Sequence, residues 1–167
     1  MMRTALIGLA GLMVAACEAP APPPATKAPP APTAPHWAFA IGKNSVEMAW
    51  LTDAETAEAP LRLVCARGEG FLVAAPVFRP IGSEERLSVG AGDDAFALVA
   101  VAADGPKGPF VKATGPIEEP LLAALESGRP IAASYGAQTF GPVESPPEAM
   151  RRAFADTCRK LGGGTQV

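Results

Sequence analysis

Residues Leu61 to Ala75, which read LRLVCARGEGFLVAA, decide the fold class of this 167-residue chain. In the first part Leu61, Leu63 and Cys65 alternate with Arg62, so they share one face of a β-strand because successive side chains point to opposite faces. Two glycines then mark a turn, and a second apolar run follows. This pattern predicts a β-hairpin and therefore an antiparallel sheet.

Apolar runs on both sides of this hairpin predict further strands. The run 95–101 is apolar on both faces, which is typical of a central strand. A first hairpin is predicted around residues 42–44, because large and small residues alternate on either side of them. The aromatic residues of the first two hairpins are predicted to lie in the core, with a ligand groove as the alternative; they are Trp37, Phe39, Trp50 and Phe71. The remaining predicted strands are 86–89, 110–113, 131–135 and 138–140.

Two helices are predicted in the C-terminal part. The first covers about residues 120–127, with Pro120 at a position where a missing amide costs nothing. The second is marked by Ser145 and Glu148, whose spacing is that of a capping box. Its apolar stripe consists of Met150, Phe154, Cys158 and Leu161.

The order of these elements indicates an α+β fold. We expect a mainly antiparallel, sandwich- or barrel-like sheet of about seven or eight short strands with two short helices. The last helix is expected to be C-terminal and to face the sheet through Cys158.

The first 17 residues have the three parts of a secretory signal. Arg3 precedes an apolar run from Ala5 to Val14, and small residues then lead to Cys17. The run is about ten residues, whereas a membrane-spanning helix needs roughly 20. A transmembrane anchor or an ordinary cleaved signal is the alternative interpretation. The tetrapeptide Val14-Ala-Ala-Cys17 resembles the lipobox of bacterial lipoproteins.

That resemblance implies cleavage before Cys17 and a diacylglycerol on its sulfur, usually with acylation such as palmitate on the new amine. Two or three acyl chains anchor a protein stably, whereas one alone is marginal. In the enterobacterial sorting rule, an Asp after the cysteine retains a lipoprotein at the inner membrane. Glu18 stands there instead, which favours a periplasm-facing site on the outer membrane.

The chain is expected to divide into four segments. Residues 1–16 are the lipoprotein signal peptide. Residues 17–35 hold the lipidated cysteine and a tether with eight prolines, for which polyproline II is the natural conformation. A passive spacer is favoured there over a ligand for a proline-recognition module. Residues 36–161 form a single β-rich domain, long enough for one core, and residues 162–167 form a flexible tail.

Cys65 and Cys158 remain once Cys17 carries lipid. In an oxidising periplasm an even remainder predicts a disulfide. In the chain-entropy description, closing so long a loop stabilises the fold by roughly 4 to 5 kcal/mol. Zinc is the rival interpretation, but His36 is the sole histidine and no second cysteine lies at ligand spacing. No metal or other cofactor is therefore expected.

The distribution of charge argues against nucleic acid as a partner, and no combination of side chains is expected to form a catalytic site. There are 14 basic and 17 acidic residues without a basic cluster, so nucleic-acid binding is not expected. A catalytic triad needs a base, and His36 adjoins the tether. Tyr135 is expected to be structural. Adjacent carboxylates occur at three places, Glu84-Glu85, Asp93-Asp94 and Glu118-Glu119. None is a ready acid/base pair, because adjacent residues in a strand point to opposite faces. Asp93-Asp94 is assigned to a hairpin turn and Glu118-Glu119 to the start of a helix.

The sequence therefore favours a membrane-tethered lipoprotein of the cell envelope with a non-enzymatic binding or structural role, possessing no catalytic residues and contacting an envelope protein. Cys65 to Gly70 before an apolar strand is similar to the membrane-bound lysozyme inhibitors, which are small disulfide-bonded lipoproteins. That family's serine-glycine and tyrosine signature is missing, so no residue is carried over. An inhibitor of a lytic enzyme is the first alternative, and an envelope hydrolase is the second.

Overall fold

The computed structural model describes residues 34–52 and 59–163. The predicted signal peptide, Cys17 and the tether up to residue 33 lie outside the described residues. So do residues 53–58 and the last four residues of the predicted tail.

The described residues form nine strands and two helices. In chain order these are β1 (His36–Ile41), β2 (Ser45–Leu51), β3 (Leu61–Ala66), β4 (Gly70–Ala75), β5 (Arg86–Ala91), β6 (Asp94–Ala103), β7 (Phe110–Gly115), α1 (Glu119–Glu126), β8 (Ile131–Tyr135), β9 (Gln138–Val143) and α2 (Glu148–Gly162).

All nine strands belong to one antiparallel sheet that curls into a half-barrel. Its strand order is β1-β2-β3-β4-β7-β6-β5-β8-β9. The predicted α+β class and the C-terminal position of the last helix are confirmed, and the sheet has one strand more than the upper expectation. The two outermost strands are joined at one point, because Trp37 Nε1 on β1 donates to the carbonyl oxygen of Glu144 just after β9 (2.7 Å).

One face of the sheet, called the inner face here, packs against the helices. Helix α2 lies against β2, β3 and α1, and α1 lies against β5. None of the residues that are buried as a whole in the described ranges is charged or belongs to the polar residue types. Trp37, Trp50 and Phe71 are buried in this core and Phe39 is partly buried, as predicted. The largest fully buried side chains are Phe71, Phe78, Phe154, Met48, Leu61, Leu63, Leu87, Leu121, Leu122, Leu125, Ile131 and Val46.

Helix α2 is attached to the sheet by a covalent bond and an aromatic contact. Cys65 on β3 and Cys158 on α2 form a disulfide with an S–S distance of 2.02 Å. Phe154, one turn earlier, meets Phe71 edge to face with ring centroids 6.5 Å apart. This is the cysteine pair that the sequence indicates, and it closes a loop of 93 residues.

The two helices are joined to each other by Arg159. Its guanidinium donates to both carboxylate oxygens of Glu119 (2.6 and 3.0 Å) at the start of α1. It also donates to Glu126 (2.6 Å) at the end of α1. The hydrogen bonds from Arg159 hold the pKa of the Glu119 carboxyl below its ordinary value. The same bonds to Glu119 and Glu126 raise the pKa of Arg159.

The predicted capping box of α2 is wrong. Pro147 occupies the N-cap position, and no side chain caps the helix. The Ser145 hydroxyl is buried and finds no hydrogen-bond partner within the described ranges. Two prolines separate Ser145 from Glu148, and a residue before proline avoids helical backbone, so the helix begins only at Glu148.

Candidate binding surface on the outer face of the sheet

The outer face of the sheet is the one directed away from the helices. Strand pairing places Ser88 of β5 opposite Ser134 of β8, and Ser134 opposite Thr139 of β9. Inner-face residues flank each of these positions along the chain, so the three hydroxyls share the outer face. They make no hydrogen bond with any residue that the structure describes. The row therefore offers free donors and acceptors on three neighbouring strands.

These hydroxyls line a shallow depression of about 390 Å³, called the hydroxyl groove here. Its floor is made of small residues, with Gly90 and Ala132 paired beside the two serines. Pro142 borders it on β9, and Asp94 and Ala95 border it on β6. The lining also includes Val89, Gly92, Ala133, Phe140 and Gly141.

The backbone explains why the floor contains a glycine. A Cβ atom on Gly90 would come within 1.7 Å of the Asp94 carbonyl oxygen and 2.9 Å of the Ala95 Cα. The start of β6 thus folds closely over β5, which only a residue without a side chain permits. Asp94 also forms an ion pair with Arg129. This ion pair joins the start of β6 to the segment between α1 and β8.

A second part of the outer face is both apolar and basic, and we call it the basic-apolar patch. Pairing places Val64, Leu72, Thr114, Val99 and Arg86 in one row across five strands, and Arg62, Ala74, Lys112 and Val101 in the next row. Val99 is 64% exposed and Val101 is 54% exposed. The prediction that β6 is a central strand agrees with its place in the sheet order, but its outer side is open.

The charges of the patch are mostly uncompensated. Arg62 pairs with Glu47 of β2 at 2.9 Å. Arg86 and Lys112 make no side-chain ion pair with any residue in the described part of the chain. Glu84 lies beside Arg86, since its carboxylate accepts a hydrogen bond from the Arg86 backbone amide (3.1 Å). With both Glu47 and Glu84 counted, the patch still carries net positive charge on a chain whose overall charge is −3.

His36 and Tyr135, the residues considered for catalysis, lie in different parts of the fold, and each makes hydrogen bonds to the backbone. His36 Nδ1 donates to the Ala34 carbonyl oxygen (3.0 Å). Tyr135 is the last residue of β8, and its hydroxyl lies within hydrogen-bond distance of the Ile81 and Glu84 carbonyl oxygens (3.0 and 2.9 Å). Tyr135 therefore fixes the segment between β4 and β5. This is a structural role for its hydroxyl.

Two of the adjacent carboxylate pairs lie in a turn and at the start of a helix. Asp93 is in the turn between β5 and β6, and Asp94 begins β6. Glu118 is the N-cap residue of α1 and Glu119 stands in its first turn. Within residues 34–52 and 59–163, no group of three His, Cys, Asp or Glu side chains could hold a metal ion. No helix in these ranges is long and apolar enough to cross a membrane.

No protein-family model, curated protein or solved structure matches this chain. The sequence missed the hydroxyl groove, because Ser88 and Ser134 are 46 positions apart by their numbering and meet only through the pairing of β5 with β8. The only local signal was the excess of small residues in these strands.

Proposed function

We propose that this protein is a lipid-anchored protein of the bacterial cell envelope that binds a partner without catalysing a reaction. Its anchor would be the lipidated Cys17, and its domain would face the periplasm, with the outer membrane favoured. The binding surface would be the outer face of the sheet, with the hydroxyl groove as its centre.

The observation that carries this proposal is the disulfide between Cys65 and Cys158. Disulfides persist in exported proteins and are rare where cytosolic thiols keep cysteines reduced. The bond uses both thiols that are left when Cys17 takes lipid, so it agrees with the lipobox resemblance from an independent part of the chain. Both features favour an oxidising compartment outside the cytoplasmic membrane.

The geometry of the groove supports a binding role. Specific sites combine an apolar surround with a few placed polar groups that fix the ligand's orientation. Here Ser88, Ser134 and Thr139 supply hydroxyls, and the small floor lets a ligand approach the backbone closely. The charge of Asp94 at the border of the groove is balanced by its ion pair with Arg129, so the hydroxyls suit uncharged polar groups, such as those of a sugar or a peptide backbone.

Thiol trapping during denaturing lysis of cells tests the proposed compartment. We expect that a maleimide added together with the denaturant leaves Cys65 and Cys158 unmodified, and that both are modified when a reductant precedes it. The matched control is the Cys158→Ser variant, in which Cys65, buried in the folded protein, should be modified as soon as the denaturant exposes it. Full modification of both cysteines in the unreduced wild type under these conditions would place the protein in a reducing compartment and contradict the proposal.

Site-specific photocrosslinking in cells tests the binding role. A photoreactive residue at Ser134, in the groove, should give a discrete crosslinked product. The control position is Lys160, which is exposed on α2 and belongs to the helical side of the molecule. Identical crosslinking patterns from both positions, or none from Ser134, would contradict a binding role for the groove.

A further inference from the structure

The basic-apolar patch exposes its two valines side by side on the outer face. Val99 and Val101 are among the few large apolar side chains that are exposed in the described ranges. Their partners on β7 are Thr114 and Lys112, and the partly buried Leu72 is the next residue in the Thr114 row. Contiguous exposed apolar surface marks a place where a protein meets another surface.

The charge around these valines is complementary to an anionic surface. Arg62, Arg86 and Lys112 border the apolar centre, and Glu47 is the acidic residue that pairs with one of them. The acidic residues outnumber the basic ones over the whole chain, so the positive charge here is a local feature. Basic groups next to an anionic membrane each favour binding, and the effect weakens with salt.

A second copy of the chain fits this face poorly. A two-fold interface places the same patch on both sides, so a positively charged patch would face another patch of the same charge. Like charges brought together in this way oppose association. A bilayer surface instead offers phosphates for the cations and an interfacial region for the valines.

We propose that the basic-apolar patch lies against the surface of an anionic lipid bilayer. The inference rests on the proposed function in one respect, since the anchor at Cys17 would bring the domain to the membrane. The 18 residues between Cys17 and His36 could span roughly 55 Å when fully extended, so the covalent connection permits this contact. The patch then orients the domain, and the hydroxyl groove beside it on the same face lies near the headgroups.

Vesicle flotation with an unlipidated chain tests this inference independently of the anchor. The mature chain carrying Cys17→Ser is mixed at low salt with vesicles of phosphatidylglycerol and phosphatidylcholine, or of phosphatidylcholine alone. We expect binding to the anionic vesicles that is lost at high salt. Lys112→Gln should weaken it about fivefold, the effect of one basic group, and Val99→Ser should weaken it by about threefold.

Matched controls separate the patch from general charge and hydrophobicity. Lys160→Gln changes charge equally on α2, and Val77→Ser removes an exposed valine outside the patch; both should bind as the parent chain does. All four positions are at the surface or partly exposed, and circular dichroism verifies their folding.

Equal binding to neutral vesicles, no binding to anionic ones, or an equal loss with Lys160→Gln would overturn the inference. A dimer in solution that Val99→Ser dissociates would assign the face to a second copy and would also overturn it. None of these results would bear on lipidation of Cys17. Loss of the anchor, conversely, would leave the vesicle result unchanged.

Discussion

On β6, Leu98 and Val99 are neighbours in the chain, but Leu98 is 5% exposed and Val99 is 64% exposed. Leu98 points to the inner face, where two helices and a disulfide complete the core. Val99 points to the outer face, which no helix of the described chain covers. The same alternation along each strand produces a dry, uncharged side that holds the fold together and a basic, hydroxyl-bearing side that is open to partners.

Removing the disulfide should reduce the stability of the fold more than any other change considered, because the bond attaches α2 to the inner face of the sheet. Cys158→Ser is expected to lower the free energy of unfolding by about 4 kcal/mol. Chemical denaturation measures this change. The wild type in reductant should approach the variant, and adding Cys65→Ser should cost little more. Equal stability with and without reductant would contradict a role for the bond.

A pair of adjacent substitutions measures the difference between the faces directly. Leu98→Ala should cost about 3 kcal/mol, since it removes buried methyl groups and leaves a cavity. Val99→Ala should change stability by less than about 0.5 kcal/mol, as is usual for surface positions. Similar losses from both substitutions would mean that the outer face is covered in the folded protein.

Gly90 provides an exception on the outer face. Gly90→Ala should cost about 2 kcal/mol, because its methyl group would overlap the backbone of Asp94 and Ala95, which cannot move cheaply. Gly82→Ala is the control, since nothing lies within 4 Å of its Cβ position and its backbone is not left-handed. Thermal melting compares the two. A neutral Gly90→Ala would show that the groove floor is not tightly closed by β6.

The smallest expected effect is a decrease in stability at acid pH, caused by the ion pair between Glu119 and Arg159 that joins the two helices. The pKa of Glu119 is lowered in the folded protein by hydrogen bonds from Arg159. Its contribution to stability is therefore complete above the ordinary carboxyl pKa and is lost as pH falls through the lowered value. Arg159→Gln should flatten the stability profile in this acid range. An unchanged profile would indicate that the ion pairs are screened by solvent.

The sequence predicts the inner face well, because local periodicity determines it. A spacing of two along β3 and of four along α2 places Cys65 and Cys158 on buried sides, which the structure brings together. The prediction of a capping box was wrong because it considered only the spacing of two residues and not the prolines between them. Ser145 and Glu148 have the right spacing, but the two prolines between them delay the helix.

The outer face could not be predicted to the same depth. The run 95–101 is apolar on both sides, and the sequence does not reveal that no helix would cover Val99 and Val101. The hydroxyl groove depends on the order of the strands, which brings Ser88 of β5 beside Ser134 of β8. That pairing crosses a helix and two strands in the chain, so no local pattern indicates it.

The measurement that tests the central claim most directly is mass spectrometry of the N-terminal peptide from protein purified out of its native membranes. We expect a peptide that begins at Cys17 and carries diacylglycerol on the sulfur, and a domain whose Cys65 and Cys158 peptides are joined until reduction. A peptide that begins at Met1, or an unmodified Cys17 with free thiols at the other two cysteines, would contradict the claim.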